Sequence, residues 1–211
     1  MSLTTLRSNP ANATLTNVYR TYPGTDIVIG TGTLVEGRKC MIGAKEVEPG
    51  IFDLVAHPDK HSAFVDYFYP WLRTAVGWVK VPKGVPDGTI VMTGGVNGCT
   101  IVVSESGANL YFYHDGDSKY LKPTMVTGNE VARVTPNDYD PNNFALNHFS
   151  GALGTAARTG VKPVGDVSYG HFIVAVKRNN NFELYATGVM SLNGLTKINS
   201  PARPLVASFA C

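Results

Sequence analysis

Two short apolar runs, Thr100-Ile101-Val102-Val103 and Leu110-Tyr111-Phe112-Tyr113-His114, flank the polar stretch Ser104-Glu105-Ser106-Gly107-Ala108-Asn109. β-branched and aromatic residues in runs this short favour extended backbone, and the glycine-bearing stretch turns the chain back on itself, so the segment reads as a β-hairpin. Antiparallel pairing sets the start of one strand beside the end of its partner. Cys99 opens the first strand and His114 closes the second, so a thiol and an imidazole fifteen positions apart are expected side by side. An imidazole in that position can take the thiol proton or, as the cation, stabilise the thiolate. Gly94, Gly95 and Gly98 allow the sharp turn that presents Cys99 at the mouth of its strand.

The same pattern of short runs and turn residues recurs along the 211 residues, helped by 22 glycines and 13 prolines. Asp26–Val35 reads as a strand with a bulge at its glycines. Arg38–Ile42 and Ile51–Ala56 are shorter strands. Trp78–Val81 and Thr89–Thr93 are strands split by the turn residues of Pro82–Gly88. His171–Lys177 and Phe182–Ala186 form a hairpin across Arg178–Asn181, and Leu205–Phe209 is a last strand. His61–Ala75 follows a helical period that Pro70 interrupts, which predicts a short helix ending near Tyr69. Asn129–Val134 and Asn143–Ala157 are the next helix candidates. Residues 1–24, polar and rich in Asn, Thr and Pro, read as an irregular N-terminal arm. The expectation is an α+β fold, a β-sandwich of mixed sheets with a few peripheral helices, making one catalytic domain over residues 1–211.

Charge and motif spacing narrow the function classes. Eighteen Lys and Arg nearly balance sixteen Asp and Glu with no basic run, so no nucleic-acid partner is expected. No stretch is apolar and long enough for a membrane span, and the first residues lack the pattern of a secretory signal. Cys40, Cys99 and Cys211 imply no disulfide framework; Cys40 reads as packed in a strand and Cys211 as mobile. Neither a cofactor nor a metal is expected. Gly30-Thr31-Gly32 lacks the third glycine of a dinucleotide fingerprint, and Phe149 stands where a calcium loop from Asp138 would need its glutamate. His57 and His61 have no third ligand spaced to close a site. The Gly-X-Ser-X-Gly elbow and the local cysteine signature of papain-like peptidases are both absent.

Asn97-Gly98-Cys99-Thr100, followed by a β run and Leu110–His114, resembles the catalytic motif of the cytotoxic necrotizing factor family. In that family Ser-Gly-Cys opens one strand and a histidine closes the next. Its members include Rho-activating glutamine deamidases, a related transglutaminase toxin and the Burkholderia lethal factor. The likeness is most specific over residues 93–114, and is carried more weakly by Tyr69-Pro70-Trp71-Leu72 to Pro86 and by Gly170 to Leu192. Asn97 departs from the pattern, standing where the family has serine.

The resemblance implies a Cys–His glutamine deamidase, with transglutamination as the outcome if an amine replaces water. Cys99 attacks the carboxamide and His114 protonates the departing ammonia. The backbone N–H of Cys99 is the expected oxyanion donor, with the Asn97 side chain a second. The resemblance also implies that a backbone carbonyl orients His114, and Thr93 is the candidate. It implies a host protein substrate, a Rho-family GTPase first and a translation factor helicase second. The chain would then be a monomeric bacterial effector acting in the host cytosol, a domain cut from a longer toxin. The rival reading is a non-catalytic β-rich module, carbohydrate-binding or adhesin-like, with Tyr67, Tyr69, Trp71 and Trp78 as its binding face.

Overall fold

The computed structural model describes residues 2–24, 27, 32–58, 65–160, 162, 167–200 and 203–211. From the N-terminus, α1 (Ser2–Ser8) and α2 (Pro10–Thr16) lead into β1 (Val18–Pro23), β2 (Leu34–Glu36), β3 (Arg38–Glu48), β4 (Ile51–Pro58), β5 (Asp66–Phe68), β6 (Val76–Pro82), β7 (Ile90–Met92), β8 (Thr100–Ser106) and β9 (Asn109–Asp115). Then follow β10 (Asn129–Val134), α3 (Pro136–Tyr139), α4 (Phe144–Thr159), β11 (Ser168–Arg178), β12 (Asn181–Ser191), β13 (Leu195–Ile198) and β14 (Leu205–Ala210).

The fold is α+β, with two mixed sheets and few helices. In the described residues a nine-stranded sheet runs β1-β4-β3-β5-β7-β11-β12-β13, with β14 also paired to β12. A five-stranded sheet runs β10-β8-β9-β6-β2. The pairs β1/β4, β5/β7 and β2/β6 are parallel. Alternation along the strands sends Val79, Val91, Ile101, Val103, Phe112, Ile173 and Leu184 into one core between the sheets. Ile90, Met92, Val174 and Val176 point the opposite way, into a second core that Leu6 and Ala13 close from the helical side.

The N-terminal segment is therefore a packed layer, which corrects the expected irregular arm. Leu6, Ala13, Val18 and Tyr19 are buried, and apolar residues at those positions outweigh the polar composition around them. Arg7 fixes α1 to the sheet through Asp66, with contacts of 2.7 and 2.6 Å to the two carboxylate oxygens. Two helix expectations also give way. Of the helix expected from His61 to near Tyr69, residues 61–64 lie outside the described residues, and Asp66–Phe68 is a strand wedged between β3 and β7, whose continuous burial hides any period-2 signal. Asn129–Val134 is an edge strand whose register shifts between Glu130 and Ala132, which breaks the alternation a strand would otherwise display. Half of the strand expected over Asp26–Val35 lies outside the described residues; Leu34 and Val35 belong to β2.

Both expected hairpins form. β8 and β9 join through Gly107-Ala108, and β11 and β12 through Asn179-Asn180, whose φ values of 47° and 62° suit a two-residue hairpin turn. Phe144–Thr159 is helical and ends at Gly160, whose φ of 71° is the usual left-handed stop. Cys40 is buried in β3. Cys211 is tied down rather than loose, because its N–H donates to Asn180 O and its sulfur lies 2.9 Å from Lys177 Nζ. Among the described residues no helix is long and apolar enough to cross a membrane.

Candidate active site

Residues 96–99 form a β-turn closed by Cys99 N–H donating to Val96 O at 3.1 Å. Gly98 holds the third position with φ 75°, which a side-chain-bearing residue would adopt only under strain. β8 starts immediately afterwards. In the β8–β9 ladder Ile101 faces His114 and Thr100 faces Asp115. Side chains alternate, so Cys99 and Ile101 share a face with Phe112 and His114, and all four point between the sheets. Cys99 thus stands diagonally across the ladder from His114.

The imidazole is fully buried and is held at one nitrogen. Its Nδ1 lies 2.7 Å from the Thr93 hydroxyl, while Nε2 has no partner. Tyr69 packs edge-on against the ring at 6.4 Å between centroids. Burial lowers the His114 pKa to about 3, so the ring is neutral across the physiological range. The carbonyl of Thr93, expected to orient the ring, instead accepts from the Thr21 hydroxyl on β1. The orienting atom is the Thr93 side-chain oxygen. If Nδ1–H donates to that hydroxyl, the buried Nε2 carries the lone pair.

The thiol is also buried, with Cys99 1 % exposed. Burial pushes its pKa up, and the carboxylates of Asp115 and Asp117 push the same way. Two donors oppose them, the Asp117 backbone N–H and the Trp71 indole N–H. The balance keeps Cys99 a thiol at neutral pH. Its sulfur makes a 3.6 Å contact with Asn97 O, and no hydrogen bond joins it to His114.

The two expected oxyanion donors have other work. Cys99 N–H closes the turn, as above. The Asn97 amide clips the turn to β11, donating to Tyr169 O at 2.7 Å and accepting from His171 N at 3.0 Å. Val96 N–H completes this link by donating to His171 O at 2.9 Å. The donors that do face the sulfur, at Trp71 and Asp117, were not singled out for this role by sequence. Trp71 sits against Gly94, where a Cβ would come within 2.9 Å of its own Cβ. Asp117 and Ser118 have φ of 51° and 56°, and the Ser118 hydroxyl donates to Gly98 O at 2.9 Å, folding this loop over the Cys99 turn. Tyr139 braces the turn from below: its hydroxyl donates to Val96 O and lies 3.0 Å from Cys99 O.

Of the aromatic binding face in the rival reading, Tyr67 and Tyr69 are each only 2 % exposed, which leaves no continuous platform. Trp71 is 47 % exposed and lines a cleft of about 280 Å³ with Asn97, Tyr169 and Phe172. Among the described residues no group of three or more His, Cys, Asp or Glu is placed to hold a metal ion.

No protein-family model matches the chain, and no curated protein matches it in sequence. Among solved structures it is similar to the C-terminal domain of CNFy from Yersinia pseudotuberculosis, with 11% sequence identity and a TM-score of 0.26. The match covers 64% of this chain and 62% of that one, so the chain spans less than two thirds of that domain. Likeness of this degree transfers no residue roles.

Proposed function

We propose that the chain is a Cys–His protein-glutamine deamidase. The observation that carries the reading is the pair itself: a cysteine on a tight turn and a histidine with one nitrogen anchored and the other unpartnered, on one face of one hairpin. A purely structural histidine would be expected to satisfy both nitrogens when buried.

The chemistry starts from neutral partners. As a glutamine carboxamide approaches, His114 Nε2 removes the Cys99 proton and the sulfur attacks the carbonyl carbon. The imidazolium formed returns the proton to the nitrogen, ammonia leaves, and a thioester remains. Water, deprotonated by the same imidazole, hydrolyses the thioester to glutamate and frees the thiol. If an amine attacks instead, the product is a cross-linked side chain. The Trp71 indole N–H and the Asp117 backbone N–H, which face the sulfur, are the donors suited to the tetrahedral oxyanion. Asn97 serves by holding the turn against β11 rather than by donating to substrate.

A side-chain amide on an extended arm suits a sulfur that lies below the surface, and a folded host protein is the substrate class. By the resemblance at residues 93–114, a Rho-family GTPase is the first candidate and a translation factor helicase the second. The test is intact-mass analysis of each candidate after incubation with the protein. The mass gain of an amide becoming an acid, localised to one glutamine and absent with Cys99→Ser, supports the reading. No change in any candidate, with Cys99 also inert to a glutamine-directed electrophile, would overturn it.

A further inference from the structure

A second buried histidine lies outside the chemistry above. His171 is 2 % exposed, and neither ring nitrogen has a partner. Its ring rests on Gly188 of β12, where a Cβ would come within 3.2 Å of Nε2, and stacks at a tilt on Tyr139 with centroids 5.2 Å apart. It lines a cavity of about 150 Å³ shared with Thr187, Lys197 and Arg203. A buried imidazole with two idle nitrogens costs stability unless something else uses them.

The charges around the cavity say what that something is. Lys197 is half-buried, with one of its three donors given to Leu15 O. Arg203 is exposed and pairs with no carboxylate among the described residues. Asp140, the carboxylate that acts on His171, is occupied by the amide of Ala145 at 2.7 Å. Among the described residues no acidic side chain lines the cavity. Two cations, a neutral imidazole and a threonine converge on a space that admits one small group.

We propose that this cavity binds a phosphate group, with Lys197 and Arg203 supplying charge and His171 an N–H donor from its buried wall. Arg and Lys are the side chains suited to phosphate oxygens, and a donor inside a closed wall adds selectivity that an open basic patch lacks. The group is inorganic phosphate or the head of a phosphomonoester. The site is separate from the thiol, and the His171 backbone and Tyr139, which hold the Cys99 turn, link the two.

The test is a titration of the intact chain with inorganic phosphate and, in parallel, with O-phosphoserine, against sodium chloride at matched ionic strength. The readouts are the His171 ring nitrogen resonances, assigned with His171→Gln, and the melting temperature. Saturable movement of those resonances and a higher melting temperature are expected with phosphate. Affinity should fall by about tenfold or more in Lys197→Met/Arg203→Ala. If that double variant melts far below the parent in chloride, Arg203→Ala alone, a change at an exposed side chain, carries the comparison. Tighter binding of O-phosphoserine than of phosphate assigns the site to esters, and the reverse to the free ion. Equal responses to phosphate and chloride, or equal responses in parent and variant, would overturn the proposal. None of these outcomes depends on the deamidase reading.

Discussion

His114 and His171 are both buried beside the turn that carries Cys99, and burial pushes both away from the charged form. Yet they are built for different tasks. His114 has a hydroxyl at Nδ1 and shares a strand face with a thiol. His171 has no partner at either nitrogen and opens on a basic cavity. Burial and a depressed pKa therefore do not mark a catalytic imidazole. The proposed catalytic role rests instead on the fixed ring of His114, where a single anchored nitrogen selects the tautomer and aims the other.

The sharpest way to break this contrast is to remove each ring in turn. Cys99→Ser and His114→Ala should each slow deamidation by about a thousandfold or more, since the two groups act as a unit. His171→Gln should cost less than about tenfold, acting only through the turn it supports. Comparable losses for both histidines, with folds intact by circular dichroism, would end the distinction.

Next in size is the anchor. Thr93→Val keeps the shape and loses the hydroxyl, and kcat should fall about 10- to 100-fold with little change in KM. Thr93→Ser should recover most of it. A full rate in the valine variant would return the orienting role to a main-chain atom.

A third measurement uses acid. An unfolded histidine binds a proton below pH 6.5, whereas His114 in the fold resists it until about pH 3. The unfolded state then holds more protons, so stability is complete above 6.5 and is lost progressively as pH falls toward 3. Between pH 7 and 5 the loss from this one ring is about 2 kcal/mol by urea denaturation. His114→Gln should flatten that slope, and His171→Gln should flatten it in the same sense. An unchanged slope in His114→Gln would mean that the ring takes up its proton in the fold as readily as in the unfolded chain.

The smallest effect concerns the thiol. With its pKa raised, Cys99 should react with iodoacetamide slowly at pH 7 and more readily toward pH 9, as a resting thiol does. Rapid alkylation at pH 6 would point to a preformed thiolate–imidazolium pair.

The hairpins were legible in the sequence because each pairs local apolar runs across turn residues with left-handed preference, as at Gly107 and Asn179-Asn180. The first of them also sets Ile101, two residues after Cys99, opposite His114. What sequence could not give depends on distant partners. Asp66–Phe68 is a strand only because β3 and β7 bracket it, and Asn129–Val134 only because β8 accepts it with a bulge. The same holds in the site. Asn97 looked free to donate to substrate until β11, more than seventy residues away, claimed both ends of its amide. The Thr93 carbonyl looked available until Thr21 took it. The indole of Trp71 carries no local signal linking it to Cys99.

That Thr21 contact has a consequence for synthesis. The residue that anchors His114 is held from behind by the first strand, and the turn bearing Cys99 is stapled to the eleventh. A chain still threading from either end lacks one of these braces. Parallel and long-range pairings of this kind form late, because the loops they close must be ordered before any contact repays them. The Cys99 turn and the His114 anchor therefore take their final form only once β1 and β11 have been drawn into the same sheet.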